Sequence, residues 1–148
     1  MAPGNSTEYE AGPKREPLWY VEWHKGATVD VTGKGEVSHG MMEGVSGFVY
    51  EQVKPAKSVK GSTFESKKGQ GDQTRKILSL IGEVHVHSIT RSADLYCDRL
   101  VYDAKAKQIR ADGHVRVVSH VGTIGPVPQL WATPDLKMVA TPRMFSSP

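Results

Sequence analysis

Leu80-Ile81-Gly82-Glu83-Val84-His85-Val86 and Ala111-Asp112-Gly113-His114-Val115-Arg116-Val117 carry the same phrase, with their glycines 31 residues apart. Each is a glycine followed by a Val-x-Val alternation, which in a pleated strand sends both valines to one face and the intervening polar residues to the other. The chain therefore writes one β-unit at least twice, and Gly33-Lys34-Gly35-Glu36-Val37-Ser38-His39 is a weaker third copy whose second valine position is taken by His39. Stacked units of this kind build a continuous apolar interior with open ends, a shape suited to binding and carrying.

Working outward, Ile77-Leu78-Ser79-Leu80-Ile81 leads into the first strong copy. Asp94 to Tyr102 reads as the next strand, and Asp103-Ala104-Lys105-Ala106-Lys107 as the turn into Gln108-Ile109-Arg110-Ala111 and the second copy. Upstream, Leu18 to Trp23 and Ala27 to Thr32 predict a first pair of strands, Val45 to Glu51 a further strand, and Ser62 to Ser66 another. The glycines and polar residues of Lys67-Lys68-Gly69-Gln70-Gly71-Asp72-Gln73 predict a turn. From Gly125 onward, prolines 126, 128, 134, 142 and 148 exclude a central strand and leave room for an edge strand before the chain frays.

No stretch has a 3.6-residue period long enough for a helix, so the expected fold is all-β. Residues 1–17, with three prolines and two glycines among polar residues, read as a disordered leader or linker. The β-domain is expected over 18–140 and a frayed tail over 141–148.

The 148 residues suffice for one domain with a real core. Nineteen basic residues against sixteen acidic ones give a net charge of only +3, which argues against a nucleic-acid partner. The cluster Lys54, Lys57, Lys60, Lys67, Lys68, Arg75 and Lys76 reads as a solvated loop face, with contact to an anionic ligand as its other reading. The single Cys97 excludes an intramolecular disulfide and any Cys-x-x-Cys motif, and it reads as a buried small side chain. No run of about 20 apolar residues is present to cross a bilayer as a helix, and the first residues lack a basic-then-apolar export signal.

Enzyme templates are missing: there is no Gly-x-Ser-x-Gly, no phosphate-cradling glycine loop and no His-Glu-x-x-His. No enzymatic activity and no cofactor are expected. The sharpest chemical constellation is His85 and His87, two apart on one strand face, with His114 at the position matching Glu83 in the neighbouring unit. Such a set could hold Zn²⁺, although strand alternation alone also places these residues outward. Asp94, Asp98 and Asp103 lack the glycine and closing glutamate of a calcium loop and are assigned turn and strand-end roles. Trp19, Trp23 and Trp131 suggest either an aromatic mouth for a ligand or caps on the ends of a core.

The stretch 64–118, from the Leu78–Val86 phrase through Leu95-Tyr96-Cys97-Asp98-Arg99-Leu100-Val101-Tyr102-Asp103 to Ile109–Val117, resembles the OstA-like domain of bacterial lipopolysaccharide-transport (Lpt) proteins, the LptA/LptC family. The match covers about 55 residues well and its tyrosine-aspartate step is Tyr102-Asp103. The resemblance implies a twisted, partly open β-jellyroll of stacked antiparallel strands whose interior shelters acyl chains. It also implies a periplasmic location, association with an inner-membrane ABC transporter complex, edge-strand pairing with homologous OstA-like domains, and an export or anchor segment outside this sequence.

By strand parity the expected lipid-facing interior is Leu78, Leu80, Val84, Val86, Leu100, Tyr102, Ile109, Ala111, Val115 and Val117. The expected function is thus lipid binding and transfer in lipopolysaccharide transport and outer-membrane biogenesis. The alternatives are a structural β-solenoid or β-sandwich that assembles at the envelope without lipid, and a zinc-dependent site at His85, His87 and His114.

Overall fold

The computed structural model describes residues 4–9, 16–31, 37–54, 57–72 and 74–141. Among the described residues nine strands follow one another in the order of the chain: β1 (Gly4–Tyr9), β2 (Pro17–Val31), β3 (Val37–Lys54), β4 (Lys57–Asp72), β5 (Ile77–Ser88), β6 (Ala93–Asp103), β7 (Gln108–Ser119), β8 (Gly122–Ala132) and β9 (Val139–Ala140). They form a single antiparallel sheet in which every strand pairs with its sequence neighbours, and β1 and β9 are not joined. Among the described residues there is no helix. The fold is the expected all-β, twisted and open sheet of jellyroll-like form.

The repeated phrase supplies the feature that shapes this sheet. Gly82 and Glu83 both adopt left-handed backbone angles (φ 85° and 49°), as do Gly113 and His114 (φ 82° and 50°). At these points the register shifts, between Ile81 and Val84 on β5 and between Asp112 and Val115 on β7. Each Gly-x is therefore a β-bulge, which bends a strand and raises its twist. Matching irregularities lie at Trp23/Gly26 on β2, Glu65/Lys68 on β4 and Tyr96/Arg99 on β6. The row Gly26, Glu43, Lys68, Ile81, Arg99, Asp112, Gln129 is paired strand to strand beside them. One line of bulges thus crosses the sheet and divides each long strand into two arms.

Contacts between distant strands show that the sheet is creased along this line and one set of arms lies over the other. Trp19, on the first arm of β2, meets Tyr102, on the second arm of β6, edge to face with ring centres 5.8 Å apart. Glu8, beside Trp19 on β1, forms a largely buried ion pair with Lys76 at the start of β5. Residues from both sets of arms, including Val21, Phe64 and Leu95 with Leu80, Leu100 and Leu130, form one core cluster.

The structure corrects four sequence expectations. Gly4–Tyr9 is a strand rather than part of a disordered leader; its pairing with β2 and the Glu8–Lys76 pair hold a segment that has no apolar alternation. The expected first pair of strands is one strand, β2, because its irregularity at Trp23/Gly26 interrupts the register without reversing the chain. The Gly33–His39 copy and the Val45 strand are separate expectations, but Val37–Lys54 is one continuous strand, with residues 33–36 outside the described residues. The expected turn over 67–73 lies within β4 as far as Asp72: this segment has a neighbour on each side, so ladder hydrogen bonds offset the weak strand preference of glycine. β8 begins at Gly122 and carries Pro126 and Pro128 at the sheet's margin, where among the described residues only the two-residue β9 lies beyond it. Residues 142–148 of the expected tail lie outside the described residues.

Candidate functional site

All ten residues assigned to the interior by parity point inward, with relative exposures between 0 and 6%. Pairing aligns them across the strands: Leu78 with Tyr102 and then Ile109, and Leu80 with Leu100 and then Ala111. Val84 faces Cys97, and Val86 continues through Leu95 to Val117. These side chains belong to one core cluster together with residues such as Trp19, Phe64, Leu95 and Leu130. Tyr102 lines an open cavity, and burial, followed by the nearby Asp103 charge, pushes its phenol up to about 12.

That cavity, of about 320 Å³, opens at one end of the folded sheet. Leu18, Val49, Tyr50, Tyr102 and Met138 supply its apolar wall, and the exposed Lys107 and Lys137 stand beside it. The turn from Thr133 to Met138 forms one side. It is self-contained: the Met138 carbonyl accepts from the Thr133 N–H, and the Thr133 hydroxyl donates to Asp135. Two inward serines fasten it to the opposite arms. Ser62 on β4 donates to the Pro134 carbonyl and Ser88 on β5 to the Asp135 carbonyl, each at 2.6 Å, while Leu136 is buried in the core.

Both hydroxyls are almost wholly buried, so removing them leaves two carbonyls short of a partner. The double variant S62A/S88A is expected to lose about 2 kcal/mol of stability and to exchange the Leu136 and Met138 amide hydrogens faster in native-state exchange. Unchanged protection there would show that the serines do not fasten the turn.

The three histidines are not brought together. His85 Nε2 and His87 Nδ1 lie 2.7 and 3.0 Å from the same Asp94 oxygen, whereas His114 Nδ1 lies 2.8 Å from Asp98. Strand pairing explains this: His85 faces Tyr96 and His87 faces Asp94, while His114 sits in the bulge of β7. Partial burial raises the Asp94 carboxyl, but hydrogen bonds from His85 and His87 outweigh it and leave its pKa below the ordinary value. Among the described residues no three His, Cys, Asp or Glu side chains converge as a metal site. The zinc reading is therefore corrected.

Asp103 accepts the Lys105 and Ala106 amides, the turn role expected of it. Cys97 is buried, and desolvation first, then the adjacent Asp98 charge, pushes its thiol up to about 12. The tryptophans share no mouth: Trp19 lies under Tyr102, Trp23 packs on the core and against Gly4, and Trp131 faces Arg110 on the other side of the sheet. The end cavity itself is absent from the sequence expectations. Its signal was present in Ser62 and Ser88, polar residues two positions from inward Phe64 and Val86 and so on the inward parity. No protein-family model and no curated protein matches this chain.

Proposed function

We propose that this protein is a non-enzymatic lipid-binding and transfer module, of the kind that carries lipopolysaccharide across the periplasm to the outer membrane. The observation that carries the reading is the apolar cavity at the end of an open, creased sheet, whose Tyr102 wall is continuous with the core. An acyl chain entering there gains about 0.8 kcal/mol for each buried CH₂. The lining sets Lys107 and Lys137 beside Glu16 and Asp135, and the two lysines are the groups that would meet the anionic part of such a lipid. The exposed first half of β8, with Val121 and Ile124 near it, offers backbone hydrogen-bonding groups to a strand of a homologous domain. A place beside an inner-membrane ABC transporter complex belongs to the same reading.

One observation favours a second reading, an envelope assembly protein without lipid: the ten interior side chains are already buried within one packed core cluster. Photo-crosslinking separates the two. With a photoreactive residue at Leu18 or Met138, radiolabelled lipopolysaccharide should be captured several-fold more strongly than from outward Glu83 or Arg116. Equal labelling from all four positions would favour the assembly reading. A further pair at Val84 and Val115 tells whether the chain passes from the end cavity into the body.

A further inference from the structure

The pleat of β6 turns Leu100 and Tyr102 to the inner face, and Tyr102, second from the strand's end, is paired between Leu78 and Ile109. It is 4% exposed, meets Trp19 edge to face and lines the end cavity. Neither paired neighbour carries a side-chain acceptor. Other hydroxyls of the same lining are engaged: Ser62 donates to the Pro134 carbonyl, and Thr133 to Asp135, whose carboxylate also accepts from the Lys137 amide. Tyr50 is only partly buried, so solvent can satisfy it. Among the described residues the Tyr102 hydroxyl has no hydrogen-bond partner.

A buried donor without an acceptor costs free energy, and phenylalanine would pack in the same place without that cost. A tyrosine here therefore calls for an acceptor that arrives with a ligand. Burial and the Asp103 charge, which push the phenol up to about 12, keep the proton on its oxygen, so it meets a ligand as a donor. The rest of the lining narrows the choice of acceptor. Lys107 and Lys137 stand against Glu16 and Asp135, so the charges balance and favour an uncharged group, while Leu18, Val49 and Met138 offer an apolar wall. At about 320 Å³ the cavity is near the lower end of the ~300–1,000 Å³ usual for ligand sites, which suits one chain rather than several.

We propose that the end cavity takes a single acyl chain by its ester or amide carbonyl, whose oxygen accepts a hydrogen bond from the Tyr102 hydroxyl. This rests on the lipid-binding reading and adds to it the part of the lipid that is recognised: the carbonyl at Tyr102, with the methylenes along the apolar wall.

Calorimetric titration of the full chain tests it with three ten-carbon probes kept below their micelle concentrations. Monodecanoyl glycerol has the ester carbonyl, its decyl glyceryl ether lacks it, and decanoate is the free acid. The ester is expected to bind at least fivefold more tightly than the ether. Y102F should remove that difference, weakening the ester to the level of the ether and leaving the ether unchanged, and its thermal midpoint without probe should equal or exceed that of the unaltered chain. Decanoate at least tenfold tighter than the ester, and weakened tenfold by K107Q/K137Q, would assign the cavity to a free carboxylate and overturn the ester or amide. Ester and ether binding equally, or an ester unaffected by Y102F, would overturn the role of Tyr102 while leaving the lipid reading standing. A Y102F midpoint lower by several degrees would also overturn it, by showing that the hydroxyl has a partner within the protein. Binding of none of the three, with lipopolysaccharide still captured from Leu18 and Met138, would overturn this proposal alone; no binding and no capture would overturn both.

Discussion

Replacing Leu100 by alanine is expected to lower the free energy of unfolding by about 3 kcal/mol. Leu100 is 2% exposed and sits between Leu80 on β5 and Ala111 on β7, both equally buried. Truncation removes its transfer free energy and leaves a cavity that the methyl of Ala111 cannot fill. Against a total stability of roughly 5–15 kcal/mol for a domain, such a loss shifts the urea midpoint markedly. Val121→Ala, at a position 84% exposed, should change stability by less than about 0.5 kcal/mol. Equal midpoint shifts for the two variants would contradict the assignment of Leu100 to the centre of the core.

The interior of β5, β6 and β7 was legible because these strands lie within the sheet with one face inward, and their apolar residues recur at the period of the pleat. Leu78, Leu80, Val84 and Val86 need nothing beyond that period to be placed. Legibility failed where other forces hold a strand. β1 presents Glu8 to the interior, and the ion pair with Lys76 satisfies it; a polar strand held by a partner 68 residues away has no local signature. Gly69 and Gly71 read as turn residues, yet they lie within β4, and Gly69 packs under Val45 and Met42, where a larger side chain would be crowded.

The site was legible to a similar depth. Parity assigns a residue to the inner face, but whether that face is filled or hollow depends on how the two sets of arms meet. That is decided by Trp19 against Tyr102 and by Ser62 and Ser88 against the Thr133–Met138 turn, all contacts between strands far apart in the chain. The histidines were misgrouped for the same reason. Equivalent positions in two repeats are not neighbours when an intervening strand and a bulge separate them, and His114 turned to Asp98.

The glycine of the repeated phrase carries the second large effect. Gly113→Val is expected to cost about 3 kcal/mol or more, combining a left-handed backbone that a β-branched residue adopts only under strain with crowding against Asp98. Gly113 has φ 82°, and a Cβ there would stand 2.9 Å from Asp98 Cβ and 3.0 Å from its Cγ. The strand cannot slip to relieve this, because a shift of one residue turns Val115 and Val117 out of the core and brings His114 and Arg116 in. In moving away, Asp98 gives up its hydrogen bond to His114 in the same bulge. Gly71→Ala is the matched control, with nothing within 4 Å of its added methyl, and should be close to neutral. If thermal unfolding shows the two glycine variants equally stable, the Gly-x of the phrase is not what creases the sheet, and the alternation of its valines alone must account for the fold.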